Sequence, residues 1–144
     1  MRKVFFSFHF ERDAWRVGQV RNSNVVGTGF INPFYDRAAW ETVKKSGDAA
    51  IKRWIDEQIR GTSVTAVLVG GQTASRKWVK YEIEETLRQG HGIIGIDISK
   101  IRNEARETDA TGANPLPAGT PYYAWNNDDG RTNLGSWIES AASN

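Results

Sequence analysis

The stretch that decides the fold is "SVTAVLVGGQTASRKWVKYEIEETLRQGHGIIGIDIS", Ser63 to Ser99. It opens on "SVTAVLVGG" (Ser63–Gly71), a near-continuous apolar run of the kind expected of a strand covered on both faces. It closes on "GIIGIDIS" (Gly92–Ser99), a second run of the same kind. Between them "SRKWVKYEIEETL" (Ser75–Leu87) has helical periodicity and meets a stop at Gly90. At about 100° per residue, Val79, Ile83, Thr86 and Leu87 fall together and predict the buried stripe of that helix. Strand, helix, strand with both strands buried predicts a parallel pair and an α/β sheet.

Working outward, "DAAIKRWIDEQIRG" places Ile51, Ile55 and Ile59 at i, i+4 and i+8, with Ser46 or Asp48 as the cap and Gly61 as the stop. "KVFFSF" (Lys3–Phe8) predicts the first strand. "ERDAWRVGQVRNS" follows as a helix, with Trp15, Val17 and Val20 loosely spaced as on one. Residues 24–34 are small, mixed and glycine-rich, a loop with a short strand near "GFINPFYD". Lys100 to Pro121, with Pro115, Pro117 and Pro121, predicts a long irregular connection. "YYAW" then reads as a short edge strand and "LGSWIESAA" as a closing helix. No repeat or linker interrupts the chain, so residues 1–144 are expected to form one domain. The expected fold is an open, mainly parallel sheet with helices on both faces.

The 144 residues are 39% apolar and 25% charged, ordinary globular values that argue against bulk disorder. No run of about 18 apolar residues exists, so no membrane-spanning helix is expected. "MRKVFFSFHF" carries the charge of a signal peptide but lacks its long apolar stretch and cleavage site. Cysteine is absent, which removes disulfides and thiolate chemistry and fits a cytoplasmic setting. A net charge of +2 is too small to suggest a nucleic-acid partner.

Sheets of this kind bind ligands beyond the carboxyl ends of their strands, where strand order reverses. With the first strand central, "SFHFERD", "YDRAAW" and "GGQTASRKW" converge there. No GxGxxG follows the first strand and no GxxxxGK[ST] occurs, so those phosphate cradles are absent. His9 and His91 lie on different elements, and no metal site is expected from them.

The helix after the third strand holds Glu82, Glu84 and Glu85. Glu84 has Lys80 at i−4 and Arg88 at i+4, and Glu85 has Arg88 at i+3, the pattern of a solvated surface. Glu82 has no cation at either spacing and flanks the apolar stripe. A carboxylate so placed either reaches water at the stripe's edge or has a raised pKa and a substrate to bind.

Several segments together carry a resemblance: "VFFSFHFERDAWRVGQVRNS", "FYDRAAWE", the run from "GDAAIKRW" to "GHGIIGI", and "GANPLP". The chain resembles the bacterial TIR-like domains of the Thoeris anti-phage defence system, a flavodoxin-like group, over most of its length to about Pro117. The resemblance implies a sheet in 2-1-3-4-5 order and NAD⁺ as substrate, with no other cofactor required. It also implies cleavage of the nicotinamide–ribose bond and closure of ADP-ribose into a cyclic nucleotide. That diffusible product would activate a separate effector after an unknown phage-derived trigger, and a homo-oligomer is compatible with it.

By the same resemblance, the essential glutamate in "W-V-x-Y-E-I" corresponds to Glu82. Ser7, Phe8 and His9 match "SFH" and are assigned to substrate contact. Asp36 and Trp40 match "FYD…W", and Asn114 matches "G-x-NP". The chemistry suits this placement: a carboxylate can stabilise the ribosyl cation left when neutral nicotinamide departs. The loop amides after Gly70–Gly71 and the following helix N-terminus can receive the pyrophosphate. Phe8, Trp40 or Trp78 can stack on nicotinamide or adenine. Structural alternatives stand beside these: Phe8 as core, Asp36 as a helix cap, Trp40 as packing and Asn114 as a turn former. A non-catalytic nucleotide- or protein-binding module is the competing function, and nucleoside deoxyribosyl transfer a third.

Overall fold

A computed structural model describes residues 3–23, 30–31 and 37–143, with side chains from Lys3 to Ser23 and Glu41 to Ser143. In chain order its elements are β1 (Val4–Ser7), α1 (Phe10–Arg21), β2 (Phe30–Ile31), α2 (Arg37–Lys44) and α3 (Asp48–Arg60). They continue as β3 (Val64–Val69), a 3₁₀ turn (Thr73–Ser75), α4 (Lys77–Arg88), β4 (Gly92–Asp97), β5 (Tyr122–Ala124) and α5 (Gly130–Ser143). Among the described residues five strands form one sheet in the order β2-β1-β3-β4-β5, each adjacent pair parallel.

β3 is the centre. All six of its residues are buried, and it pairs with β1 from Val4↔Val64 to Ser7↔Val67 and with β4 from Val64↔Gly92 to Val69↔Asp97. Side chains alternate across the sheet, so Thr65 and Val67 face one side and Val64 and Ala66 the other. α4 covers the first side, where the Thr65 and Thr86 hydroxyls meet at 2.7 Å. α5 covers the second: a Cβ on Gly92, the register partner of Val64, would collide with the backbone of Ala141. Helices therefore flank both faces, and the apolar runs are continuous because neither face meets water.

α3 is anchored on α4's side by Ile51, Ile55 and Ile59, all buried at the expected spacing. Truncating one such isoleucine to alanine typically costs about 2–5 kcal/mol. Its ends differ from expectation. The N-cap is Gly47 at φ 90°, with no side-chain cap. Ser46 instead donates back to Thr42 of α2, and Asp48 pairs with Lys77. Gly61 ends the helix at φ −78°, so it does not use left-handed freedom. α4 does end as expected: Gly90 at φ 75° lets its N–H reach Leu87 O at 3.1 Å and the His91 N–H reach Thr86 O at 3.1 Å.

α1 buries Val17 and Val20 and leaves Trp15 54% exposed. Three polar side chains from successive turns of α1 tie down the connection between β4 and β5. Arg12 forks onto the Asp109 carboxylate, Arg16 donates to Ile101 O and Glu107 O, and Gln19 donates to Arg102 O. That connection has neither helix nor strand from residue 98 to 121, as its prolines foretold. Among the described residues, no helix is long and apolar enough to cross a membrane.

Candidate active site

The site lies on α4 where it passes the carboxyl end of β1. The buried face of α4 is Val79, Glu82, Ile83, Glu85 and Thr86, rotated toward the two glutamates from the stripe expected on hydrophobicity. Leu87, expected in that stripe, is 47% exposed. Glu85, expected on the solvated surface, is 5% exposed. Its carboxylate is fully occupied, accepting from Arg88 on one oxygen and from Gln89 Nε2 at 2.7 Å on the other. Two carboxyls on a core-facing surface are tolerable only if each is neutralised or hydrogen-bonded.

Glu82 is the unpaired one, at 1% exposure. Its Oε1 accepts a 2.6 Å hydrogen bond from the Ser7 hydroxyl, while Oε2 is buried and has no hydrogen-bond partner. Burial pushes this carboxyl well above the usual carboxylate range, and the Ser7 hydrogen bond opposes part of that rise. Thr86 Oγ1 also donates to Glu82 O at 2.7 Å, pinning the helix backbone at the same turn.

Glu82 lines a narrow cleft of about 40 Å³ with Phe8, His9, Phe10, Glu11, Arg76, Trp78 and Val79. Phe8 is 4% exposed and its ring lies 6.1 Å from that of Phe10. His9 stands at the N-cap of α1, and burial followed by the charge of Arg76 lowers its pKa, favouring the neutral imidazole. Trp78, half-buried, meets Tyr81 edge-on at 5.9 Å and carries Lys77 Nζ 4.8 Å over its ring. Tyr81 donates to Asp56 at 2.7 Å; burial, then that hydrogen bond, pushes its hydroxyl up to about 12. Beyond Trp78 a second groove of about 390 Å³ is lined by Lys52, Ser75, Lys77, Lys80, Tyr81 and Glu84.

Ser7, Phe8, His9, Trp78 and Glu82 are thus brought together. Ser7 is completely buried, its hydroxyl directed at Glu82. Gly70 and Gly71 lie at the exit of β3, with their amides engaged inside the chain. The Gly70 N–H donates to Thr73 Oγ1 at 2.8 Å and the Gly71 N–H to Asp109 Oδ2 at 3.0 Å. A Cβ on Gly70 would collide with the buried Asp13 carboxylate, so glycine is required there. Asn114 is exposed and its Oδ1 accepts from Leu116 N at 2.9 Å, a turn-forming role outside the Glu82 cleft. Asp36 lies outside the described residues; Trp40 falls on α2, with its side chain likewise outside them.

Sequence reasoning did not find Phe10, Glu11, Arg76 or Val79 in the cleft. Arg76 had a usable signal, since the residue preceding the helix that carries Glu82 must border the same opening. The Arg12–Asp109 pair had none, because nothing local links residues so far apart in sequence. A wider groove, about 620 Å³ along the outer side of α1 with Trp15 and Arg131, holds no buried unpartnered polar atom. Chemistry rather than size therefore singles out the smaller cleft. Among the described residues no three His, Asp or Glu side chains are grouped to hold a metal.

A parallel sheet in 2-1-3-4-5 order with helices on both faces is a flavodoxin-like, TIR-like fold. The chain belongs to the family described as Thoeris protein ThsB, TIR-like domain, whose family model matches residues 5–103. It is also 36% identical over 140 residues to a protein of Bacillus cereus (strain MSX-D12) named "Putative cyclic ADP-D-ribose synthase ThsB1". That match covers 94% of this chain and 71% of the relative.

Proposed function

We propose that this chain is an NAD⁺-cleaving enzyme that releases nicotinamide at Glu82 and closes the remaining ADP-ribose into a cyclic nucleotide. The observation that carries the reading is the Oε2 atom of Glu82: buried, without a hydrogen-bond partner, and in a cleft with an imidazole and an indole. The name of the Bacillus cereus relative supports the product class.

The chemistry follows from burial. At rest the raised pKa favours the neutral acid. The nicotinamide of NAD⁺ is a cation, and an opposite charge in a dry site favours ionisation, so substrate binding draws the proton off Glu82. The C1′–N bond then breaks with its electron pair passing to the nicotinamide nitrogen. The leaving group departs neutral, and C1′ becomes an oxocarbenium-like centre facing the carboxylate. A second nucleophile of the same ADP-ribose attacks C1′ and passes its proton to the Glu82 carboxylate, which restores the resting acid; water in its place would give linear ADP-ribose. Excluding water therefore selects the cyclic product. Trp78 offers a ring for the nicotinamide beside the buried Phe8, and the groove beyond it, where three lysines outnumber Glu84, offers net positive charge to the phosphates. In this reading the product diffuses through the cytoplasm to a separate effector once a phage-derived trigger has acted.

The test is incubation with NAD⁺, with and without extract of phage-infected cells, following nicotinamide and the cyclic product by mass spectrometry. Wild type should turn over and Glu82→Gln should lose at least about 100-fold. A Glu82→Gln protein with wild-type turnover overturns the reading. Absent turnover in both conditions, with Glu82→Gln still protecting cells, would favour the non-catalytic binding module.

A further inference from the structure

We propose that Ser7 is the positioning residue of this site: its hydroxyl holds one carboxyl oxygen of Glu82 so that the other faces the cleft. The inference rests on reading Glu82 as the catalytic group.

The two strands at the reversal point fix different parts of the same residue. β3 fixes the backbone through Thr65 and Thr86, whose hydroxyls meet at 2.7 Å while Thr86 donates to Glu82 O. β1 fixes the carboxyl. Ser7 is its last residue, paired in register with Val67, and so points to the face that α4 covers. A carboxyl on an unrestrained side chain swings freely, because its terminal torsion is broad and two-fold. The 2.6 Å bond from a side chain with no exposed surface removes that freedom. Among the described residues Ser7 is the only group hydrogen-bonded to the carboxyl. A larger donor would fill the cleft, and an apolar residue would leave both oxygens unpaired.

The charged groups around Glu82 do not replace this hold. His9 at the β1 exit, Glu11 on α1 and Arg76 ahead of α4 line the cleft without a hydrogen bond to it. On α4 itself Glu85 is engaged by Arg88 and Gln89, and on α3 Asp56 is engaged by Tyr81. Because Ser7 donates to Glu82, it favours the ionised carboxyl and thereby sets the pH at which that form becomes available.

The experiment is the pH profile of nicotinamide release by wild type, Ser7→Ala and Ser7→Cys, paired with a carbon-13 NMR titration of the Glu82 carboxyl. Ser7→Ala should move the acid limb of kcat and the carboxyl titration upward together by about 1–2 pH units, the effect of losing one charge-assisted hydrogen bond. Ser7→Cys, a weak donor of similar size, should move both in the same direction by less and keeps the test open if alanine fails to fold. An unmoved acid limb and titration would overturn the proposal, as would a rate loss equal at every pH. A wild type that releases no nicotinamide, or an active Glu82→Gln, sinks the NAD⁺ reading instead. In that case the NMR titration alone still decides whether Ser7 holds the carboxyl.

Discussion

Replacing Glu82 with glutamine should make the protein more stable, by an amount that grows with pH. The wild-type carboxyl is buried at 1% exposure and its pKa is raised well above the ordinary value by that burial. The folded state therefore holds a proton that the unfolded chain gives up once pH passes about 4.3. In that window the unfolded state binds fewer protons, so stability falls as pH rises and levels off above the folded pKa. Each pH unit within it lowers wild-type stability by about 1.4 kcal/mol. Glutamine has the same shape and keeps an oxygen for Ser7, and its amide nitrogen takes the place of an oxygen that had no partner. It does not titrate, so the variant gains on wild type by about 1.4 kcal/mol per unit, or about 4 °C in Tm at this chain length. Urea denaturation and thermal melts of both proteins at pH 5, 6 and 7 measure the difference. Parallel curves, with an offset independent of pH, would show that Glu82 ionises in the folded protein as it does in water, and the argument for a dry carboxyl would fall.

Arg12→Ala should flatten acid denaturation between about pH 4 and 2, because Arg12 first, and the Gly71 and Ala110 amides after it, hold Asp109 down at about 2. A folded pKa below the unfolded one gives stability that is present above about pH 3.9 and lost as pH falls through the folded value. The variant starts without most of that stability. Hydrogen exchange at Gly71 and Ala110 should quicken in the same protein, and unchanged protection there would refute the tie. Gly70→Ala should cost about 1–3 kcal/mol in urea denaturation, since the new methyl meets the buried Asp13 carboxylate. A variant as stable as wild type would mean that α1 shifts freely at that point.

The fold was largely readable because its strands are apolar on both faces and its helices punctuated by glycine. Ile51, Ile55 and Ile59 lie where periodicity put them, and Gly90 stops α4 through the left-handed turn that only glycine adopts cheaply. Reading the face of α4 from hydrophobicity alone was less successful. Such a reading counts Leu87 as buried and Glu85 as solvated, and the reverse holds because Arg88 and Gln89 satisfy Glu85 on the spot. The absence of a local cation, rather than the apolar stripe, was the signal that separated Glu82. Its contact with Ser7 pairs residues 75 apart and depends on strand register, which periodicity does not encode. The cap of α3 was missed for a similar reason: Ser46 and Asp48 have partners on other helices, leaving Gly47 at the cap.

The tie between α1 and the long connection is made mostly to main chain. Arg16 and Gln19 grasp the carbonyls of Ile101, Glu107 and Arg102, and only Asp109 is held by its side chain. A carbonyl is the same whichever residue carries it. The exposed positions of this segment can exchange their side chains and remain docked, provided that its path, its length, Asp109, the buried Ile98, Ile101 and Leu116, and Gly112, whose Cβ would meet Gly70 O, are kept. The rim of the sheet thus combines a fixed frame with a replaceable surface, and a loop graft from a relative that keeps those positions should seat without redesign of the helix beneath it.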